Sequence, residues 1–143
     1  MKNYISKYLI EQYDKQDKVD DFVKFAAHHL EQYDKQDRVD DFVKFAAHHL
    51  DLATPSVILL DEREPEMTTA SYNMKTGEIK VYIKDRAVFD ICRSIAHEMV
   101  HKAQHEKSDD LDGSTGSPHE DEANAMAGRI VRMYGKEHPD FYE

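Results

Sequence analysis

Two kinds of apolar spacing follow one another along the chain. In residues 11–30, Val19, Phe22, Val23, Ala26 and Leu30 recur at helical intervals. In residues 31–50, Val39, Phe42, Val43, Ala46 and Leu50 do the same. The two stretches, EQYDKQDKVDDFVKFAAHHL and EQYDKQDRVDDFVKFAAHHL, differ only by Lys18 against Arg38. Asp17 and Asp37 read as N-caps, with Asp20 and Asp40 in the first turn, where negative charge opposes the helix dipole. At about 100° per residue, twenty residues rotate a continuous helix by about 200°. Both apolar stripes therefore cannot face one core from a single straight helix. The pattern predicts either a turn near Gln32–Gln36, giving a helical hairpin for self-association, or a duplication in which one copy is surplus and the other supplies the N-terminal helix. The second reading is favoured.

After residue 50 the period changes. Pro55 stops the helix. SVILL (56–60) reads as a short buried strand, and TTASYNM (68–74) and EIKVYIK (78–84) alternate as strands do. Lys75-Thr76-Gly77 supplies the turn of an antiparallel hairpin. Residues 61–66 form a polar loop. Helical periodicity returns over residues 87–106, with Val88, Ile91, Cys92, Ile95, Ala96, Met99 and Ala103 in phase, and again from Glu120 to about Tyr134, with Gly135 as its cap. Residues 108–118 read as an acidic loop and GKEHPDFYE as an irregular tail. The order of elements predicts an α+β fold with a small three-stranded sheet, in a single domain over residues 1–143.

Composition narrows the functional classes. The chain has 143 residues, with Lys+Arg 19 against Asp+Glu 29 and a formal charge of −10. Such a balance disfavours binding to phosphate backbones, so no nucleic-acid partner is expected. No apolar run is long enough to cross a bilayer, and the first residues lack a secretory h-region, which predicts a cytoplasmic protein without a membrane partner. Cys92 is the single cysteine, which excludes an intramolecular disulfide and a multi-thiolate metal site; its place in the apolar stripe makes it a core residue. Nine histidines are the compositional oddity. The pairs His28–His29 and His48–His49 suit a helix C-terminus better than a metal, because adjacent residues point about 100° apart.

The chemistry-bearing motif is His97-Glu98-Met99-Val100-His101, an HExxH pattern. Histidines at i and i+4 share one helical face and can bind one Zn²⁺, while the glutamate beside the first can take a proton from water at that metal. With His97 at 0°, the apolar residues of this helix centre near about 200°, so the histidines point away from the packed face. A third ligand is sought on the helix opened by PHEDEANAMA (118–127). Glu120 and Asn124 lie on the edge of its apolar stripe, whereas Glu122 points about 100° from the stripe centre. Geometry prefers Glu120 as the ligand, with His119 as second choice and Asn124 orienting a ligand from behind. His105 stands about 12 Å along the axis from His97, too far to share its metal on an unbroken helix. Asp109 to Ser114 lacks the glycine and glutamate offsets of a calcium loop and reads as a solvated lid.

HExxH followed by an E-x-E-A-N helix resembles the gluzincin branch of zinc metallopeptidases, and most of all the minimal ImmA/IrrE-type and small phage-encoded enzymes. The resemblance covers about residues 40–134. It implies a zincin-like fold, Zn²⁺ held by His97, His101 and Glu120, and Glu98 as general base. It also implies a sheet edge, taken as residues 79–83, on which a substrate backbone adds as a strand. The usual aromatic after Asn-x is Met126 here, and no regulatory domain is expected. His119, Tyr134, His138 and Tyr142 are the candidates for stabilising an oxyanion. The expected activity is zinc-dependent endopeptidase action on a protein or peptide substrate. The alternative is a non-catalytic protein-binding module on the same scaffold, with a structural or vestigial metal. The sequence assigns neither the substrate nor the oligomeric state.

Overall fold

A computed structural model describes the chain over residues 2–107 and 117–143, and its side chains from residue 15 on, apart from residues 28–29 and 31–33. The loop of residues 108–118, with its lid and calcium-loop readings, lies outside the described residues but for Ser117 and Pro118. The elements follow in the order α1 (Lys2–Leu50), β1 (Val57–Leu60), β2 (Ala70–Tyr72), β3 (Ile79–Tyr82), α2 (Val88–Lys107), α3 (Pro118–Glu137) and a 3-10 turn at Pro139–Tyr142. The class is α+β with a small mixed sheet. Two compact units divide the chain, Met1–Lys35 and Gln36–Glu143.

The first unit is helical, and Val19, Phe22, Val23, Phe25 and Leu30 are exposed on it, Phe22 by 68%. The residues near Gln32–Gln36, where a turn is one expectation, are helical. Asp17 and Asp37 lie inside α1 and cap nothing. The aspartates that follow them are instead acceptors for surface pairs one turn back: Gln16 Nε2 donates to Asp20 Oδ1 at 3.0 Å and Gln36 Nε2 to Asp40 Oδ1 at 2.8 Å. The side chains of His28 and His29 are not described, whereas His48 and His49 occupy the last turn of α1 and are exposed, as suits cations at a helix C-terminus.

In the second unit Val39, Phe42, Val43 and Ala46 are buried. Phe42 meets the edge of the Tyr134 ring at 5.2 Å and stacks on Phe141 at 5.8 Å. The helix ends before Pro55: Asp51 takes a left-handed conformation (φ 54°), and the Leu52 N–H donates to the Ala47 carbonyl at 2.9 Å, a C-terminal stop that needs no proline. The strands are shorter than the alternation predicted, because pairing is limited to the residues that face a neighbour. Strand order is β1-β3-β2, with β1 parallel to β3 (Val57↔Ile79) and β2 antiparallel to it (Ala70↔Val81). In the β2–β3 hairpin, Asn73 Oδ1 accepts from the Lys75 and Thr76 N–H groups at 2.9 and 3.2 Å, and Gly77 supplies the positive φ of 74°. Ile79 and Val81 point into the core shared with α2, where Val88, Ile91, Cys92, Ile95, Ala96, Met99 and Ala103 are all buried. Burial pushes the Cys92 thiol pKa up, so it behaves as an apolar core residue.

Two expectations for the C-terminus are corrected. Gly135 lies within α3, which runs on to Glu137, and His138 is its C-cap. Gly135 is small because the Tyr142 ring lies where a Cβ would be, its nearest atom 2.5 Å away. The tail is not irregular: Phe141 is buried against Phe42 and Tyr134, and the Asp140 carbonyl accepts from Arg38 Nη2 at 3.0 Å. Among the described residues no helix is long and apolar enough to cross a membrane.

Candidate metal centre

α2 buries one face and turns the other to a cleft of about 530 Å³, lined on its α2 side by Arg93, Ser94, His97 and Glu98 and across from it by Thr68–Ala70 and Asn124. The i, i+4 spacing sets the His97 and His101 rings together, with Nε2 atoms 3.1 Å apart. Glu120 comes from the first turn of α3. Ser117 is the N-cap of that helix, its hydroxyl accepting from the Glu120 N–H at 3.2 Å, and Pro118 begins it. The Glu120 carboxylate reaches across to both histidines, 2.8 Å from His97 Nε2 and 3.0 Å from His101 Nε2. All three side chains are mostly buried, with 15–23% exposed.

The donor set fits a metal ion. The ligand atoms of His97, His101 and Glu120 lie within 4.8 Å of one another. Tetrahedral bonds to zinc of about 2.0–2.1 Å set ligands roughly 3.4 Å apart, a few tenths of an ångström beyond the contacts seen. Hydrogen bonds around His101 fix how its ring faces the other two groups. Gln104 Nε2 donates to the His119 carbonyl and to Glu122 Oε1 at 2.9 and 3.0 Å, so its Oε1, 2.8 Å from His101 Nδ1, must accept from that nitrogen. The other ring nitrogen of His101, Nε2, then faces the Glu120 carboxylate at 3.0 Å and His97 Nε2 at 3.1 Å, contacts that a ring proton or a metal ion would satisfy. Burial lowers the His97 pKa, favouring the neutral ring that ligates metals, and Asn124 hydrogen-bonds that ring.

Glu98 is beside the cluster and lines the cleft. Its pKa is pushed up to about 7, chiefly by burial; the His101 ring opposes the rise and Glu120 adds to it. A carboxylate tuned to neutrality suits proton transfer.

Other candidates fall elsewhere. Glu122 is exposed and serves Gln104. His119 contributes its backbone carbonyl to Gln104, and its side chain is not in the cluster. His105 bonds the Tyr72 hydroxyl through Nδ1 at 3.3 Å. Of the four oxyanion candidates, none lines the cleft; Tyr134 and His138 stack on each other at 3.9 Å, and Tyr142 covers Gly135. Residues 79–83 cannot offer an edge, because β3 is the central strand, paired on both sides. The outer strand beside the cleft is β2. Gln104 was not singled out by the motif, although it sits three residues after His101 on the same helical face. Compared with protein-family models, curated proteins and solved structures, the chain matches none.

Proposed function

We propose that the chain is a zinc-dependent endopeptidase with a minimal zincin-like fold, in which His97, His101 and Glu120 hold the metal. The observation that carries this reading is the convergence of the His97, His101 and Glu120 donor atoms from two helices, with the Glu98 carboxylate in the same cleft. Bound there, zinc would act as a Lewis acid, polarising a peptide carbonyl and acidifying water. Glu98 would take the proton of the attacking water and pass it to the leaving amine. Asn124 would hold the His97 ring. An extended substrate would add along the outer edge of β2, whose neighbours Thr68 and Thr69 stand on the cleft wall opposite α2.

The experiment is elemental analysis of untagged protein. About one zinc per chain is expected in the wild type, lost or greatly weakened in His101→Ala and Glu120→Ala. No zinc after incubation with the metal would overturn the reading. Zinc retained without cleavage of any tested protein would favour the binding-module alternative.

A further inference from the structure

Gln104 is 7% exposed and every polar atom of its side chain is engaged. We infer that it is a positioning residue, which fixes the tautomer and tilt of the His101 ring and ties that ring to the turn bearing Glu120. The functional part of this inference rests on the metal reading; the structural part does not.

The geometry works in two steps. Both acceptors for the Gln104 amide hydrogens come from the first turn of α3, the His119 carbonyl at 2.9 Å and the Glu122 carboxylate at 3.0 Å. They bracket Glu120 in sequence. With its two hydrogens committed, the amide has a single orientation, and its oxygen faces His101 Nδ1 at 2.8 Å. The proton of a neutral His101 is therefore held at Nδ1, leaving the Nε2 lone pair toward His97 and Glu120. A ligating histidine commonly gives its other N–H to such an acceptor, and loss of that partner weakens metal binding by about 10–100-fold. Here the acceptor does more, because the same amide holds the α3 turn at the distance where Glu120 meets both rings. Glu122 thus belongs to the site at one remove, as an acceptor for Gln104.

The test reads the ring directly. In metal-free protein at about pH 8, the ring ¹⁵N shifts of His101 should report the Nδ1–H tautomer in the wild type and a shift toward Nε2–H in Gln104→Leu. Zinc affinity, measured by competition with a chelator, should fall by about 10–100-fold in Gln104→Leu. The double variant Gln104→Glu with Glu122→Gln reverses the direction of the 104–122 bond and keeps an acceptor for His101, while giving up the donor to the His119 carbonyl; it should retain the Nδ1–H tautomer and bind zinc more tightly than Gln104→Leu. Gln104→Leu with an unchanged tautomer and unchanged affinity would overturn the inference. So would loss of the Nδ1–H tautomer in the double variant, which also decides the matter if Gln104→Leu does not fold. A wild type that binds no zinc overturns the metal reading instead, and the tautomer in metal-free protein then decides alone whether Gln104 holds the ring.

Discussion

Glu98→Gln is expected to bind zinc as the wild type does and to lose about 10²–10⁴-fold in kcat, the usual contribution of a positioned general base. The substitution keeps the size of the side chain and its place in the cleft, and it removes only the capacity to accept a proton. Burial pushes the Glu98 pKa up to about 7 without a metal, and a dication beside it would draw that value down, leaving the carboxylate ionised and able to accept a proton. Metal content is read by elemental analysis and cleavage by mass spectrometry on a library of unstructured peptides. Equal cleavage by variant and wild type would remove Glu98 from the mechanism. Loss of zinc in the variant would instead make Glu98 part of the metal centre.

Phe42→Ala is expected to lower the free energy of unfolding by about 3–5 kcal/mol, whereas Phe22→Ala should change it by less than about 0.5 kcal/mol. The two residues occupy the same place in identical surroundings of sequence, so local propensity cannot separate them. Burial does: Phe42 is fully covered between Tyr134 and Phe141, and Phe22 is 68% exposed. Urea unfolding of the two variants gives the comparison. A small cost at Phe42 would mean that the chain can slip by one repeat and offer Phe22 in its place. Equal costs at both positions would contradict the assignment of the second copy to the core.

The residues that could be read from sequence are those whose partners lie on their own element. The buried face of α2 follows from apolar spacing alone, and so does the separation of His97 and His101 from that face. Glu120 is reachable because it lies on the edge of the apolar stripe of the helix opened by PHEDEANAMA, where Glu122 does not. What depends on a second element was not legible. Alternation in Ile79–Tyr82 tells which side chains point inward but not which strands stand to left and right, so it does not reveal that β3 is the central strand. Asp17 and Asp37 look like caps because aspartate favours a helix start, yet α1 runs straight through both positions. Phe141 is a lone apolar residue in a polar tail, and only the gap beside Phe42 and Tyr134 explains its burial. Gln104 reads as an ordinary helix former until the α3 turn is set beside it.

The second repeat copy sits in the core immediately before Asp51. Removing residues 11–30 or removing residues 31–50 leaves the same chain, apart from lysine or arginine at a single position. The side chain at that position, Arg38 here, donates to the Asp140 carbonyl. Whichever copy remains, the same twenty residues precede Asp51, with the same phenylalanine in register for Tyr134. A chain with one copy fewer or one copy more would therefore keep the residues of the core unchanged.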